Sequence, residues 1–600
     1  MKRFTKRFSK RTVQAGLACL CAVTMLIGCG SQTSADARTE AVAISKEEGK
    51  AKKIEGATEI LLSDAGITVD GATASENADD AVYVANDIVF YLEGQGFTYG
   101  EGTEEDEHAQ EEADEHTVVH ITKPGTYAVS GQLSAGQIAI DLGEDAEKDP
   151  EAVVTLIMNN ADITCTVAPA VIFYNVYECG DSDTENASNT VDTTKAGANV
   201  LIADGTYNTI NGSYVAKIYK SYELNESGTE VVDSKKLHKY DGAFYSKMSM
   251  NINGDEEGTG VLEINAENEG LDSELHLTIN GGNIKITSGN DGINTNEDGV
   301  SVTTVNGGNL CIIVDGSTGE GDGVDSNGWL VINGGTVRSY ACSFSGDAGI
   351  DSDMGIHING GNVIATGNML DRISDSTQNY AVFSFSNGQK GGSTVALKND
   401  AQKTASQWNT VNDYSYMILA GDMIAEGTYS LWIDDKQFAG SAGGAEMGFG
   451  GMQGGAPDGM FDGQGFPEGE VPEGFERPED GERPELPEGM EPGEMPAMPE
   501  GAEPGQLPEG MEPGEMPAMP EGAEPRQLPE GMEPGEVPAM PEGAWPGQNA
   551  EGAQKDGFGG KNFGGGRGGK GQMNQAVGEL SKEFVISAGG NYFNFVSEAE

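Results

Sequence analysis

The chain has 600 residues and carries 35 Lys plus Arg against 97 Asp plus Glu, a formal net charge of −62. That balance excludes nucleic acid as a partner, because its binding rests on cationic contacts to phosphate. It suits a solvated export product that meets divalent cations outside the cell.

Lys2, Arg3, Lys6, Arg7, Lys10 and Arg11 precede an apolar run from Val13 to Ile27, closed by Leu26-Ile27-Gly28-Cys29. Residues 1–28 read as a signal peptide, too short and wrongly flanked for a spanning helix. Leu-Ile-Gly before Cys resembles a bacterial lipobox, which implies lipid on Cys29. The expected location is the extracellular face of the cell membrane, with that lipid as the anchor. Cys165, Cys179, Cys311 and Cys342 lie further on, too few for a disulfide scaffold in so long a chain. A Cys165–Cys179 bridge and unpaired, partly buried thiols both stay open.

Residues 29–77 are rich in Ser, Ala, Glu and Lys and read as a flexible tether. The folded domain is expected over 78–440, with strand text from Ala81 followed by an acidic loop from Glu101 to His116. From Val118 to about Phe438 short β-branched runs alternate with Gly, Asn and Asp, and no helical period competes. Ile279-Asn280-Gly281-Gly282 recurs at Asn306, Asn333 and Asn359, with spacings of 26, 27 and 26 residues. A fixed period of this size with several short strands per unit marks a solenoid. The leucine ladder of a leucine-rich repeat is missing, so an all-β parallel β-helix with about 26 residues per coil is expected. Asn-Gly-Gly supplies a left-handed corner. In Asn283-Ile284-Lys285-Ile286-Thr287 the isoleucines should point inward, with Lys285, Cys311, Arg338 and Ile364 stacked on the outer face.

A second motif rides on the same period. Glu269-Gly270-Leu271-Asp272 returns as Asp291-Gly292-Ile293-Asn294, Asp322-Gly323-Val324-Asp325 and Asp347-Ala348-Gly349-Ile350-Asp351. One strip of the solenoid is thus lined with carboxylates. Two of them about 4.8 Å apart repel by roughly 3.5 kcal/mol at an effective dielectric near 20. Hard oxygen donors without histidine select Ca²⁺, so Asp272, Asp291, Asn294, Asp322, Asp325, Asp347 and Asp351 are candidate metal ligands.

Pro124-Gly125-Thr126-Tyr127, Val153 to Asn159 and Asp241-Gly242-Ala243-Phe244-Tyr245-Ser246 precede the two repeated motifs. In this order the motifs resemble a family of bacterial carbohydrate-binding β-helix lipoproteins related to calcium-dependent polysaccharide lyases. The resemblance spans about residues 80–440 and implies a right-handed parallel β-helix, bound Ca²⁺ and affinity for plant-type or acidic polysaccharide. It carries the ion-ligand role onto Asp272, Asp291, Asp322, Asp325 and Asp351. The second repeat departs from the pattern, with Asn294 in place of Asp.

Trp329, Tyr340 and Phe344 are candidate sugar-stacking residues; core packing is the alternative for each. Three functions compete: a non-catalytic polysaccharide binder, a lyase with Lys285 or Arg338 as base, and a structural or adhesive surface protein. The binder, expected to be monomeric, is the preferred reading. Residues 441–578, with the repeat beginning at Leu486, Leu507 and Leu528, read as a disordered spacer. Residues 579–600 alternate apolar and polar and should return as strands to a C-terminal β cap.

Overall fold

The computed structural model describes residues 44–92, 99, 102–225, 227–229, 231–443 and 579–598. The signal peptide, Cys29 and the spacer lie outside the described residues. No described helix is long and apolar enough to cross a membrane.

The described chain is nearly all strand, and most of its pairing is parallel. Three files of strands run side by side through the repeats. One consists of Met250–Gly254, Leu277–Ile279, Val302–Val305, Trp329–Ile332 and Gly355–Ile358. A second consists of Val261–Ala266, Asn283–Ser288, Asn309–Val314, Thr336–Tyr340 and Asn362–Gly367. The third holds Gly242–Ser246, Glu269–Ser273, Ile293–Thr295 and Val324–Ser326. In each file a strand's partner lies one repeat further along the chain.

Register stacks like on like. Ile279, Val305, Ile332 and Ile358 are consecutive partners, as are Ile284, Leu310, Val337 and Val363. All eight are buried in one continuous apolar core. Between the first two files runs the Asn-Gly-Gly corner. Its second glycine has φ of +92° at Gly282, +84° at Gly308, +79° at Gly335 and +80° at Gly361. A Cβ on Gly335 would also sit 2.7 Å from the Gly308 carbonyl oxygen. Backbone conformation and close stacking therefore both demand glycine there.

The outer face of the second file is less open than its sequence suggests. Lys285, Cys311, Arg338 and Ile364 are indeed consecutive partners, yet Cys311 and Ile364 are buried. The reason is the C-terminal cap. Tyr414–Ala420 pairs antiparallel with Asn362–Gly367, and Ile364 joins Phe383, Trp408, Leu419, Phe593 and Phe595 in a second core. Cys165 and Cys179 are both free thiols, so no bridge joins them.

Folded structure begins earlier than the expected boundary at 78. Thr58–Leu62 lies inside the stretch read as tether, yet it pairs in parallel with residues 127–131. Ile60 and Leu62 are buried in the main core; two alternating apolar side chains suffice to recruit the strand. At the other end Gly590–Glu598 pairs with Tyr380–Gln389 and Lys436–Ala442, while Phe584–Ile586 pairs with Gly427–Ile433. Both terminal strands belong to the same compact unit as the repeats.

Two stability measurements check this account. Gly335→Ala should lose roughly 2 kcal/mol in denaturant unfolding, from left-handed strain plus the carbonyl contact. Phe595→Ala should lose about 3–5 kcal/mol by leaving a cavity in the cap; an unchanged midpoint would mean that the terminal strand does not support the fold.

Candidate metal and glycan site

The third strand file carries the acidic motif, and register turns it into two stacked columns. Asp272, Asn294 and Asp325 are consecutive partners, and the amide of Asp351 bonds the Val324 carbonyl at 2.7 Å to continue that column. The other column runs through Glu269, Asp291 and Asp322, since Gly270 N–H bonds the Asp291 carbonyl and Gly292 N–H the Asp322 carbonyl. Leu271, Ile293, Val324 and Ile350 sit between the columns and are buried in the core. The motif's glycine is a packing requirement: a Cβ on Gly292 would lie 2.1 Å from Ile312 Cγ2.

Asp272 and Asp291 are buried, while Asp322, Asp325 and Asp351 keep a partial opening. Asn296 donates to Asp272 Oδ1 at 2.8 Å, and Asn294 donates to Glu269 Oε1 at 3.1 Å. Asp291 Oδ1 accepts from the Asp322 amide at 2.7 Å, and Asp347 Oδ2 accepts from the Gly321 amide at 2.7 Å. Burial pushes Asp291 up to about 7, with Asp347, Glu320 and Asp351 adding to the shift against the Asp322 hydrogen bond. Burial likewise pushes Asp325 to about 7 and Asp351 to about 8, each helped by Asp353 and Asp371. Asp322 is raised well above the ordinary carboxylate range, by burial and then by Asp351 and Asp291. The charges that act on these four are all carboxylates.

Such a site fits a hard cation in its donor chemistry. In this cluster Asn294 Oδ1, Asp351 Oδ1 and Asp371 Oδ2 are buried without a hydrogen-bond partner among the described residues. Carboxylate, amide and backbone oxygens are what Ca²⁺ accepts. No trio of carboxylate, histidine or cysteine side chains among the described residues is already closed around one point, so amide and backbone oxygens would have to complete any shell.

Asp353 and Asp371 belong to this cluster and were missed from the sequence. Asp353 sits two positions past Asp351 and raises its pKa. Asp371 lies after the last repeat, where no period signals it. Arg372 was missed too; it donates to the Met354 carbonyl at 2.9 Å and adjoins Asp371.

The aromatic candidates separate. Phe344 is 77% exposed, three residues before Asp347 in the bend that precedes the last acidic motif. Met369 is also exposed, its amide bonded to the Asp347 carbonyl at 3.0 Å. Trp329 is partly buried and follows Val324–Ser326, the acidic strand of the preceding repeat. Tyr340 is a correction: it is fully buried, packs with Cys311 and Ile313, and bonds the Asn409 carbonyl at 3.3 Å, so its ring cannot meet a sugar. Lys285 and Arg338 stand on the second file, not the third. Lys285 Nζ lies 3.3 Å from Tyr207 Oη and over its ring, and Arg338 donates to Asn309 at 3.2 Å.

A model of the carbohydrate-binding domain-containing proteins matches residues 115–428, more than half of the chain and all three strand files. This chain belongs to that family. No curated protein matches it. A solved polysaccharide lyase-like protein from C. thermocellum, a gadolinium derivative, is 19% identical. The alignment covers 51% of this chain and 90% of that one, with a TM-score of 0.30, too loose a likeness to bear on function. For a carbohydrate-binding protein the acidic columns, opening beside exposed Phe344 and Met369, form the candidate site.

Without metal, these carboxyls set a pH dependence. Their folded values of about 7 to 8 exceed the unfolded value of about 3.9. A raised folded pKa contributes stability that is complete below the unfolded value and lost as pH rises through the folded one. In EDTA the melting temperature should therefore be higher at about pH 5.5 than at about pH 8.5. The double variant Asp325→Asn, Asp351→Asn should flatten that slope; an equal slope would assign it to surface charge instead.

Proposed function

We propose that this protein binds acidic or plant-type polysaccharide through Ca²⁺ held on the acidic face of a right-handed parallel β-helix, anchored at the cell surface by lipid on Cys29. It does not cleave its ligand. Strands paired one repeat on, with like residues stacked inside, support the β-helix; the sequence before Cys29 supports the anchor. One observation carries the site: Asp291, Asp322, Asp325 and Asp351 are stacked, poorly solvated and acted on by further carboxylates, beside buried oxygens without a partner among the described residues. So many like charges at low exposure call for an external cation.

Asp291, Asp322, Asp325 and Asp351 would hold the ion, with Asp272, Asn294 and Asp347 as neighbouring donors. Bound there, Ca²⁺ neutralises the carboxylates and keeps part of its shell for a uronate carboxylate or sugar hydroxyl. Phe344 offers a flat apolar face beside Asp347, on which a sugar ring can stack.

Arg372 favours a second reading, a lyase, because it is a cation at the edge of the acidic cluster. It would pair with a uronate carboxylate and acidify the α-proton, which the adjoining Asp371 carboxylate would take; the C–H electrons form the double bond, the glycosidic C–O bond breaks, and the departing oxygen receives the proton from Asp371.

Addition of Ca²⁺ to chelated protein should raise stability by roughly 2.7 kcal/mol per site at a hundredfold excess over Kd. Polygalacturonate should be retained only with Ca²⁺ present, without ultraviolet absorbance from unsaturated product. Phe344→Ala should weaken that retention about tenfold at unchanged melting temperature. Indifference to EDTA in both assays sinks the calcium reading, and accumulating unsaturated product replaces the binder with the lyase.

A further inference from the structure

A cavity of about 530 Å³ lies on a different face, over the outer side of the first strand file. One wall is the stack of corner asparagines. Asn280 donates to Asn253 at 3.0 Å, Asn306 to Asn280 at 2.9 Å, Asn333 to Asn306 at 3.0 Å and Asn359 to Asn333 at 3.1 Å. Each interior member uses one N–H and one lone pair in the stack, so one N–H and one lone pair remain to face outward. The floor is formed by the outward side chains Thr304 and Val331, which are register partners.

The opposite wall is a strap, residues 189–194, laid along the file. It is fastened at both ends. Thr193 Oγ1 lies 2.7 Å from both Asn251 Oδ1 and Thr278 Oγ1, and Asn189 lies 3.0 Å from His357 Nε2. Those fastenings fall on the outer rungs of the file; Thr304 and Val331 occupy the rungs between. In a chain of net charge −62, the lining holds a single charged residue, Asp192. Its carboxylate is turned back onto Thr194, accepting from the amide at 3.0 Å and the hydroxyl at 2.6 Å.

We infer that this groove is a second carbohydrate site, for an uncharged oligosaccharide lying along the asparagine stack. The ligand class follows from the lining. Amides and hydroxyls pair with sugar hydroxyls, Val331 offers an apolar patch to ring C–H groups, and no basic group is present to repay desolvation of a uronate. Rungs recur about every 4.8 Å, the scale of one sugar ring, so an extended chain meets an equivalent amide at each step. The inference rests on the carbohydrate-binding reading but not on calcium.

Isothermal titration of the full chain in EDTA, with cellohexaose, xylohexaose and mannohexaose in turn, tests the site. At least one should bind. Thr304→Arg, which fills the groove from an outward position, should weaken it about tenfold or more, the equivalent of one or two hydrogen bonds. Calcium-dependent retention of polygalacturonate should be the same in this variant as in the natural protein. Should Thr304→Arg fail to fold, Asn333→Asp adds a charge to the exposed stack and should weaken binding in the same way. The inference is overturned if no neutral hexasaccharide binds in EDTA, or if the folded groove variants bind it undiminished. Loss of polygalacturonate retention alone would strike the acidic site and leave this one standing.

Discussion

Parallel backbone pairing from one repeat to the next sets a rung height of about 4.8 Å, and every other feature answers to it. A residue at a given place in the repeat has its counterpart directly above and below at that distance. Apolar residues profit, because each rung completes the packing of its neighbours, as Ile279, Val305, Ile332 and Ile358 do. Glycine is forced wherever backbone must lie on backbone, as at Gly308 and Gly335.

The same spacing treats two polar residues in opposite ways. Asparagine carries a donor and an acceptor, so a column of it closes into a ladder of 2.9–3.1 Å hydrogen bonds. Aspartate carries only acceptors when ionised, so a column of it repels itself and holds its protons to about 7 or 8. The two columns stand on different strand files and point to different ligands. One carries carboxylates in excess, while the other has balanced donors and acceptors in surplus.

Much of this was legible in the sequence because the repeat period specifies register. The positions of Asn280, Asn306, Asn333 and Asn359 name the corner, and counting from them assigns the inward and outward side chains and the acidic columns. What lies off the period was not legible. Asp371 and Arg372 reach the acidic cluster from beyond the last repeat, and Tyr340 is buried by Asn409 and Val411 of the cap. Thr58–Leu62 offers only two buried apolar residues as a signal. The groove is invisible to sequence because its strap is a non-repeating insertion, held by Asn189 and Thr193 to repeats far along the chain.

The pairing of Gly440 with Ser581, through two amide–carbonyl bonds of 2.9 and 2.8 Å, has a consequence in time as well as in space. Chain departs from the cap at one place and must come back to the same place before the sheet is finished. Until residues 590–598 arrive, Tyr380–Gln389 presents an unpaired strand edge and the cap core lacks Phe593 and Phe595. Folding therefore cannot be completed until residues 590–598 are available to the cap. A prematurely ended chain displays a bare, apolar sheet edge, the feature that marks a protein for aggregation or proteolysis. Arrival of residues 590–598 is thus read out by the fold itself.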